Sequence, residues 1–385
     1  MVAIVGPKIY APEGVLHHAT LVTEQKRIHT ITQDNISTDE TYTFPEHYHL
    51  LPGWIDLHVH GIVGCDVMDA DLDSLEKISQ ALARFGTTSF LATTMTASID
   101  QIDRVLGVIK NHQQIQNKIS GAKMLGVHLE GPFISPEKMG AQNLQHAMLP
   151  DISLLKRWQT LSDHAIRLVT LAPELAGAKE FIEYLVTEKM IPSIGHTHAT
   201  FDETMAAIEA GCAHMTHLFN AMRGIHQREP GVVTAGLLAK NISTEIIVDG
   251  VHLHPAIVEL IYQTKSLEKM ILITDAMRAT CLGDGVYDLG GQSVTVKNQQ
   301  ALLSDGTLAG STLTMSQAVR NMMRMTHCGL IEIAHLASAN PAKVLKIFSE
   351  KGSLTVGKDA DCIVLDEDLN VVFTMCEGRV VYSLL

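Results

Sequence analysis

Asp56-Leu57-His58-Val59-His60 closes an apolar run that opens at Trp54. Two imidazoles two residues apart share a face on a β-strand, where side chains alternate with a period of two. On a helix the same sharing needs a spacing of three or four. The pentapeptide therefore predicts a strand whose end offers two nitrogen ligands to one ion. Other metal-type side chains, Glu130, His196, His217 and Asp275, stand at the ends of later apolar runs.

Those runs set the fold class. Strand-like stretches occur at 54–58, 88–92, 124–128, 166–170, 191–194, 214–217, 245–248 and 270–273. Between them lie segments of helical periodicity, such as Asp73–Arg84, with Leu75, Ile78, Leu82 and Phe85 on one face and Asp73 as the expected cap. Strand alternating with helix implies a parallel sheet. Eight repeats over this length match a TIM-like (β/α)8 barrel. An open doubly wound sheet fits less well, because ligand types come from the whole series and no glycine-rich dinucleotide fingerprint follows the first run. Residues 1–50 and 350–385 instead show short polar/β-branched alternation (19–23, 27–31, 360–365, 370–373, 379–382). Neither tail is long enough to build a core alone. We expect them to pair into one small β-sandwich domain, leaving 51–349 as the catalytic barrel.

Composition narrows the function. The chain has 385 residues, 46% of them apolar, and a formal net charge of -13. Such acidity argues against a general nucleic-acid or anionic-membrane surface, though local donors can still hold a small anion. No apolar stretch approaches the length of a membrane span, and Met1–Pro12 lacks the features of a secretory signal. The six dispersed Cys form no CxxC and read as reduced, mostly buried thiols of a cytoplasmic enzyme.

Any one of the 20 His, taken singly, reads as an ordinary core or surface residue. The joint pattern is different, since barrel enzymes carry their functional side chains at the C-terminal ends of the strands. Imidazoles with carboxylates and no thiolate suit a divalent transition metal, zinc foremost, with iron, cobalt or manganese as alternatives. One or two ions per subunit are expected, with His58, His60, Glu130, His196, His217 and Asp275 as the ligand set. The fourth run ends in Val169-Thr-Leu-Ala-Pro-Glu174, which offers no Lys for carboxylation, so Glu130 is the better bridge. His128 and His198 read as supporting neighbours.

Longer motifs are more specific. They are Asp-Leu-His-Val-His-Gly (56–61), His-Leu-Glu-Gly-Pro-Phe (128–133), Gly-His-Thr (195–197), Thr-His-Leu-Phe-Asn-Ala-Met (216–222), Arg-Glu-Pro-Gly (228–231), Asp-Gly-Val-His (249–252), Thr-Asp-Ala (274–276) and Leu-Ala-Gly-Ser (308–311). Together they resemble the N-acetylglucosamine-6-phosphate deacetylases of the amidohydrolase superfamily, over nearly the whole chain. The resemblance implies hydrolysis of N-acetyl-D-glucosamine 6-phosphate to D-glucosamine 6-phosphate and acetate, in amino-sugar catabolism and cell-wall sugar recycling. It assigns Asp275 as the catalytic acid/base and Glu130, His196 and His217 as the shared metal ligands. His58 and His60 match second-metal ligands that only some members keep. It also implies a homodimer, with the backbone N–H groups of Asn220 and Ala221, together with Arg228 and His252, on the phosphate. Leu308, Ala309 and Gly310 would line the acetyl end. Gln142 stands where some relatives place a His near the sugar; it can hydrogen-bond a hydroxyl or the acetyl carbonyl but cannot carry charge. Rival readings are a cyclic-amide hydrolase, opposed by the missing Lys, a nucleobase deaminase, opposed by Thr197-His198 where a Glu is usual, and a non-catalytic barrel, opposed by the intact ligand set.

Overall fold

The computed structural model describes residues 1–34 and 36–385. Its centre is an eight-stranded, wholly parallel sheet whose spatial order follows the chain. The strands are β1 (Trp54–Val59), β2 (Thr87–Thr94), β3 (Lys123–Glu130), β4 (Ile166–Leu171), β5 (Ile191–Ile194), β6 (His214–Met215), β7 (Ser243–Ile247) and β8 (Met270–Ile273). All eight coincide with the runs read from sequence. Beyond β8, Ala276 bridges to Val59, and the Asp275 N–H donates to the His58 carbonyl at 2.9 Å, drawing the first and last strands together. The result is the expected (β/α)8 barrel.

The strands are buried on both faces because helices cover the outside and side chains, polar ones among them, fill the inside. Helix α1 (Leu72–Ala83) shows the local logic. Leu75, Ile78 and Leu82 are buried on one face, as the periodicity requires. Its cap, however, is Asp71, not Asp73: Asp71 has extended backbone and accepts from the Ser74 N–H. Asp73 lies inside the first turn and pairs with Lys77 at 2.6 Å, one helical turn on.

Both termini build the second unit. A six-stranded sheet runs in the order 379–383, 371–376, 362–365, 49–52, 8–11, 14–16. A four-stranded sheet runs 27–32, 20–24, 2–5, 40–43. Ile4, Ile9, Leu21, Leu50, Val364 and Phe373 are buried together in its core, which makes this a β-sandwich that neither tail could form alone. The strand His49–Pro52 pairs with Cys362–Leu365, so the sheet reaches just past residue 50 before the chain enters the barrel. A buried Lys351 holds Asp359 at 2.8 Å and Asp361 at 2.7 Å. All six cysteines are free thiols; five are buried, and Cys281 is exposed. No helix among the described residues is long and apolar enough to cross a membrane.

One element was not anticipated. After β8 the chain makes a three-stranded antiparallel sheet (Gly285–Leu289, Gln292–Lys297, Gln300–Leu302). It turns at Gly290-Gly291, both left-handed (φ 59° and 81°), as a two-residue hairpin turn requires. Leu289, Val294, Val296 and Ala301 pack with Met95 and Met277. The insertion thus becomes a wall at the barrel mouth.

Candidate metal centre and active site

His58 and His60 lie at the end of β1, and Glu130 is the last residue of β3. His196, His217 and Asp275 each follow the end of a strand by two residues, and all three have left-handed backbone (φ 47°, 30° and 50°). For residues with a Cβ that conformation costs about 1–3 kcal/mol, and it persists only where the surroundings enforce it. Here hydrogen bonds do so. The Ser135 N–H donates to the His196 carbonyl, the His217 N–H to Glu245 Oε2 at 3.1 Å, and the Ser311 N–H to the Asp275 carbonyl.

The side chains form two groups joined by one carboxylate. Glu130 Oε1 lies 3.1 Å from His196 Nε2 and 3.0 Å from His217 Nε2, and those two nitrogens are 3.1 Å apart. In the other group His58 Nε2 and His60 Nε2 are 3.3 Å apart, with Asp275 Oδ1 at 3.5 and 3.2 Å from them. Glu130 spans both, with Oε1 3.4 Å from His58 Nε2 and Oε2 3.3 Å from His60 Nε2. Donor atoms about 2.0–2.2 Å from a tetrahedral ion stand roughly 3.3–3.5 Å apart. All six predicted ligands are therefore gathered at metal-like spacing, and each is buried.

The electrostatics agree with a cation site. Burial opposes charge on His58 and His60, but the neighbouring carboxylates outweigh it. His58 is held well above its usual range, His60 near 9. Burial also works against ionisation of Glu130 and Asp275, yet the facing imidazoles bring Asp275 down to about 2 and hold Glu130 well below the ordinary range. Carboxylates that can hold protons on these rings can hold metal ions in their place.

The centre floors a cavity of about 330 Å³, within the roughly 300–1,000 Å³ usual for small-molecule sites. Asn220, Ala221, His252, Leu308 and Gly310 line it, beside His60, Glu130, Gln142, His196, His217 and Asp275. Burial opposes charge on His252, but Asp249, whose Oδ2 is 2.7 Å from its Nδ1, raises the ring above its usual range. Gly310 (φ 62°) lets the 308–311 turn press on β8, since a Cβ there would stand 3.2 Å from the Asp275 carbonyl.

The residues expected to meet the substrate have the following settings. Gln142 is committed to the centre: Oε1 accepts from the Thr96 N–H at 2.7 Å and Nε2 donates to Glu130 Oε2 at 2.8 Å. The Asn220 N–H is taken by the His217 carbonyl at 2.9 Å, as the tight turn demands. Ala221 N–H makes no hydrogen bond among the described residues. Ala309 is fully buried in the packing of the insertion and does not line the cavity. Arg228 is exposed on the 223–230 loop, outside the cavity.

The two neighbouring histidines have different settings. Burial pushes His128 down to about 3, and its Nε2 lies 2.7 Å from Thr170 Oγ1. His198 pairs with Glu137, apart from the ligand groups. Two buried acids were missed. Asp56 binds the Thr274 hydroxyl at 2.6 Å, tying β1 to the end of β8. Glu245 faces His58 Nδ1 at 3.1 Å. Asp56 was visible in the opening motif; Glu245 carried no local signal.

A parallel (β/α)8 barrel with imidazoles and carboxylates gathered at its C-terminal mouth defines a metal-dependent hydrolase. A model of the amidohydrolase family matches residues 49–381. The N-acetylglucosamine-6-phosphate deacetylase of Bacillus subtilis is 47% identical over 334 residues, covering 86% of this chain and 84% of that one. An N-acetylgalactosamine-6-phosphate deacetylase from Escherichia coli is 40% identical over 330 residues, covering 86% and 87%. A mutant of the Mycobacterium smegmatis N-acetyl-D-glucosamine-6-phosphate deacetylase, solved with N-acetyl-D-glucosamine-6-phosphate, superposes with a TM-score of 0.92 at 32% identity over 99% of each chain. The chain belongs to the amidohydrolase family and, within it, to the N-acetylglucosamine-6-phosphate deacetylases.

Proposed function

We propose that the chain hydrolyses the acetamide of N-acetyl-D-glucosamine 6-phosphate, releasing acetate and D-glucosamine 6-phosphate. The observation that carries this reading is the meeting, in one cavity, of the Glu130-joined ligand groups, Asp275 and the Asp249-paired His252. Glu130, His196 and His217 would hold one divalent ion; His58 and His60, sharing Glu130, would hold a second. Zinc suits these donors best, followed by iron, cobalt and manganese. Bound ions of this kind polarise an amide oxygen and lower the pKa of water.

Asp275 does the proton work. Ionised by its imidazole neighbours, it takes a proton from the attacking water at a carboxylate oxygen. It then returns that proton to the sugar nitrogen as the C–N bond breaks, and the water oxygen leaves in acetate. Gln142 holds Glu130 in place. The 308–311 turn supports the acetyl end through Leu308 and Gly310. In this reading residues 51–349 carry the chemistry, and 1–50 with 350–385 are its scaffold. A cytoplasmic location suits a charged sugar phosphate as substrate.

His252 and the Ala221 N–H support a phosphate site on the cavity rim. In a homodimer, the exposed 223–230 loop would carry Arg228 to the cavity of the other copy. A charge-assisted contact to phosphate contributes about 1.5–3 kcal/mol, roughly 10- to 150-fold. Arg228→Ala should therefore raise KM and lower kcat for the phosphorylated sugar, since remote binding energy positions the amide. Unphosphorylated N-acetylglucosamine should react slowly and at the same rate in both proteins. Equal damage to both substrates in steady-state assays would make Arg228 a structural residue and remove it from the phosphate site.

A further inference from the structure

Beneath the centre lies a buried acid that the chemistry above does not use. Glu245 sits on β7 with no exposed surface, its neighbours in sequence Thr244 and Ile246 buried too. A carboxylate there is costly to bury, and an apolar residue would fill a barrel strand more cheaply. Its contacts explain why the acid is there. Oε2 lies 3.1 Å from His58 Nδ1 and accepts the His217 backbone N–H at 3.1 Å. One oxygen thus touches a ligand of each metal group.

We propose that Glu245 is a positioning residue for the second ion: it keeps the proton of His58 on Nδ1, so that the Nε2 lone pair faces the centre. This rests on the two-ion reading given above. An imidazole can offer Nε2 to a metal only when the proton is on Nδ1, and an ionised carboxylate facing Nδ1 can only accept. The alternative, a third ion between His58, His128 and Glu245, would need the Nδ1 lone pair that this hydrogen bond consumes.

The surroundings fix Glu245 and His58 in turn. The His128 ring packs edge-on against His58, with centroids 4.5 Å apart. From His128 a buried chain runs through Thr170 (2.7 Å), Thr216 (2.7 Å), Ser193 (2.6 Å) and His214 Nδ1 (3.0 Å). His214 Nε2 then stands 3.8 Å from Glu245 Oε1. His196 is oriented more simply, its Nδ1 on the Lys138 carbonyl at 3.0 Å. His60 Nδ1 has no partner among the described residues, so within the second-ion pair only His58 has a device of this kind.

Glu245→Gln is the clean variant, because its amide oxygen can still accept from His58 and from the His217 N–H. Only the charge goes, and with it the bias on the His58 proton. Metal-free wild type and variant would be titrated with Zn²⁺ in equilibrium dialysis, with Co²⁺ absorption as a second readout. We expect two ions in the wild type. In the variant we expect the first to bind normally and the second about 10–100-fold more weakly, the usual cost of losing an outer carboxylate. Glu245→Asp, which restores the charge one methylene short, should recover part of that loss and carries the same comparison if the Gln form does not fold. A merely structural Glu245 would lower the melting temperature of the metal-free variant and leave the second affinity unchanged, which overturns the proposal. A wild type that takes only one ion overturns the two-ion reading itself.

Discussion

Replacing Asp275 with Asn is expected to leave metal binding largely intact and to remove turnover. Asn keeps the shape of the side chain and one oxygen for the imidazoles 3.2 and 3.5 Å away. What disappears is the proton acceptor. A positioned general acid–base group typically contributes about 10²–10⁴-fold, and in the proposed mechanism one carboxylate serves two successive transfers, so the loss should lie at or beyond the upper end. Single-turnover acetate release, with elemental analysis of the same sample, separates the two effects. Turnover within tenfold of wild type would mean that another group takes the proton.

Glu130→Gln should be more damaging, and in a different way. Among the described residues, Glu130 is the only carboxylate within 3.4 Å of imidazoles from both groups. An amide would turn its NH2 towards either the histidines or the Gln142 Nε2 that now donates to it. Each arrangement puts a donor against a donor or against a lone pair meant for metal. We expect substoichiometric metal after dialysis against a weak chelator, and no measurable deacetylation even with metal in excess. Full metal content in this variant would show that the two groups bind independently of Glu130.

The features legible in the sequence are those that repeat at short range. Alternation of apolar runs and helical segments located all eight barrel strands. The spacing of His58 and His60 gave both the strand and the meeting of the two imidazoles at its end. Glu130, His196, His217 and Asp275 were readable because barrel geometry puts strand ends together, whatever their separation along the chain. Asp73 was misread because two aspartates flank the start of α1, and only backbone conformation selects Asp71. The hairpin at Gly290-Gly291 carried an ordinary turn signal, but it fell after an eight-strand count already complete. Glu245 was not readable at all. It is one acid in a buried strand, and its meaning depends on a histidine 187 positions away. The contacts of Gln142 were hidden for a similar reason: its partners Glu130 and Thr96 meet only in the folded barrel mouth.

The most direct test of the whole account is acetate release from a matched panel: the 6-phosphates of N-acetylglucosamine and N-acetylgalactosamine, and the two unphosphorylated sugars. The protein would be purified without chelator and its metal counted in the same preparation. The account predicts rapid acetate release from N-acetylglucosamine 6-phosphate, slow release from the unphosphorylated sugars, and one or two divalent transition ions per chain, with activity lost on chelation and restored by metal. Equal rates with and without the phosphate, or full activity in metal-free protein, would contradict it.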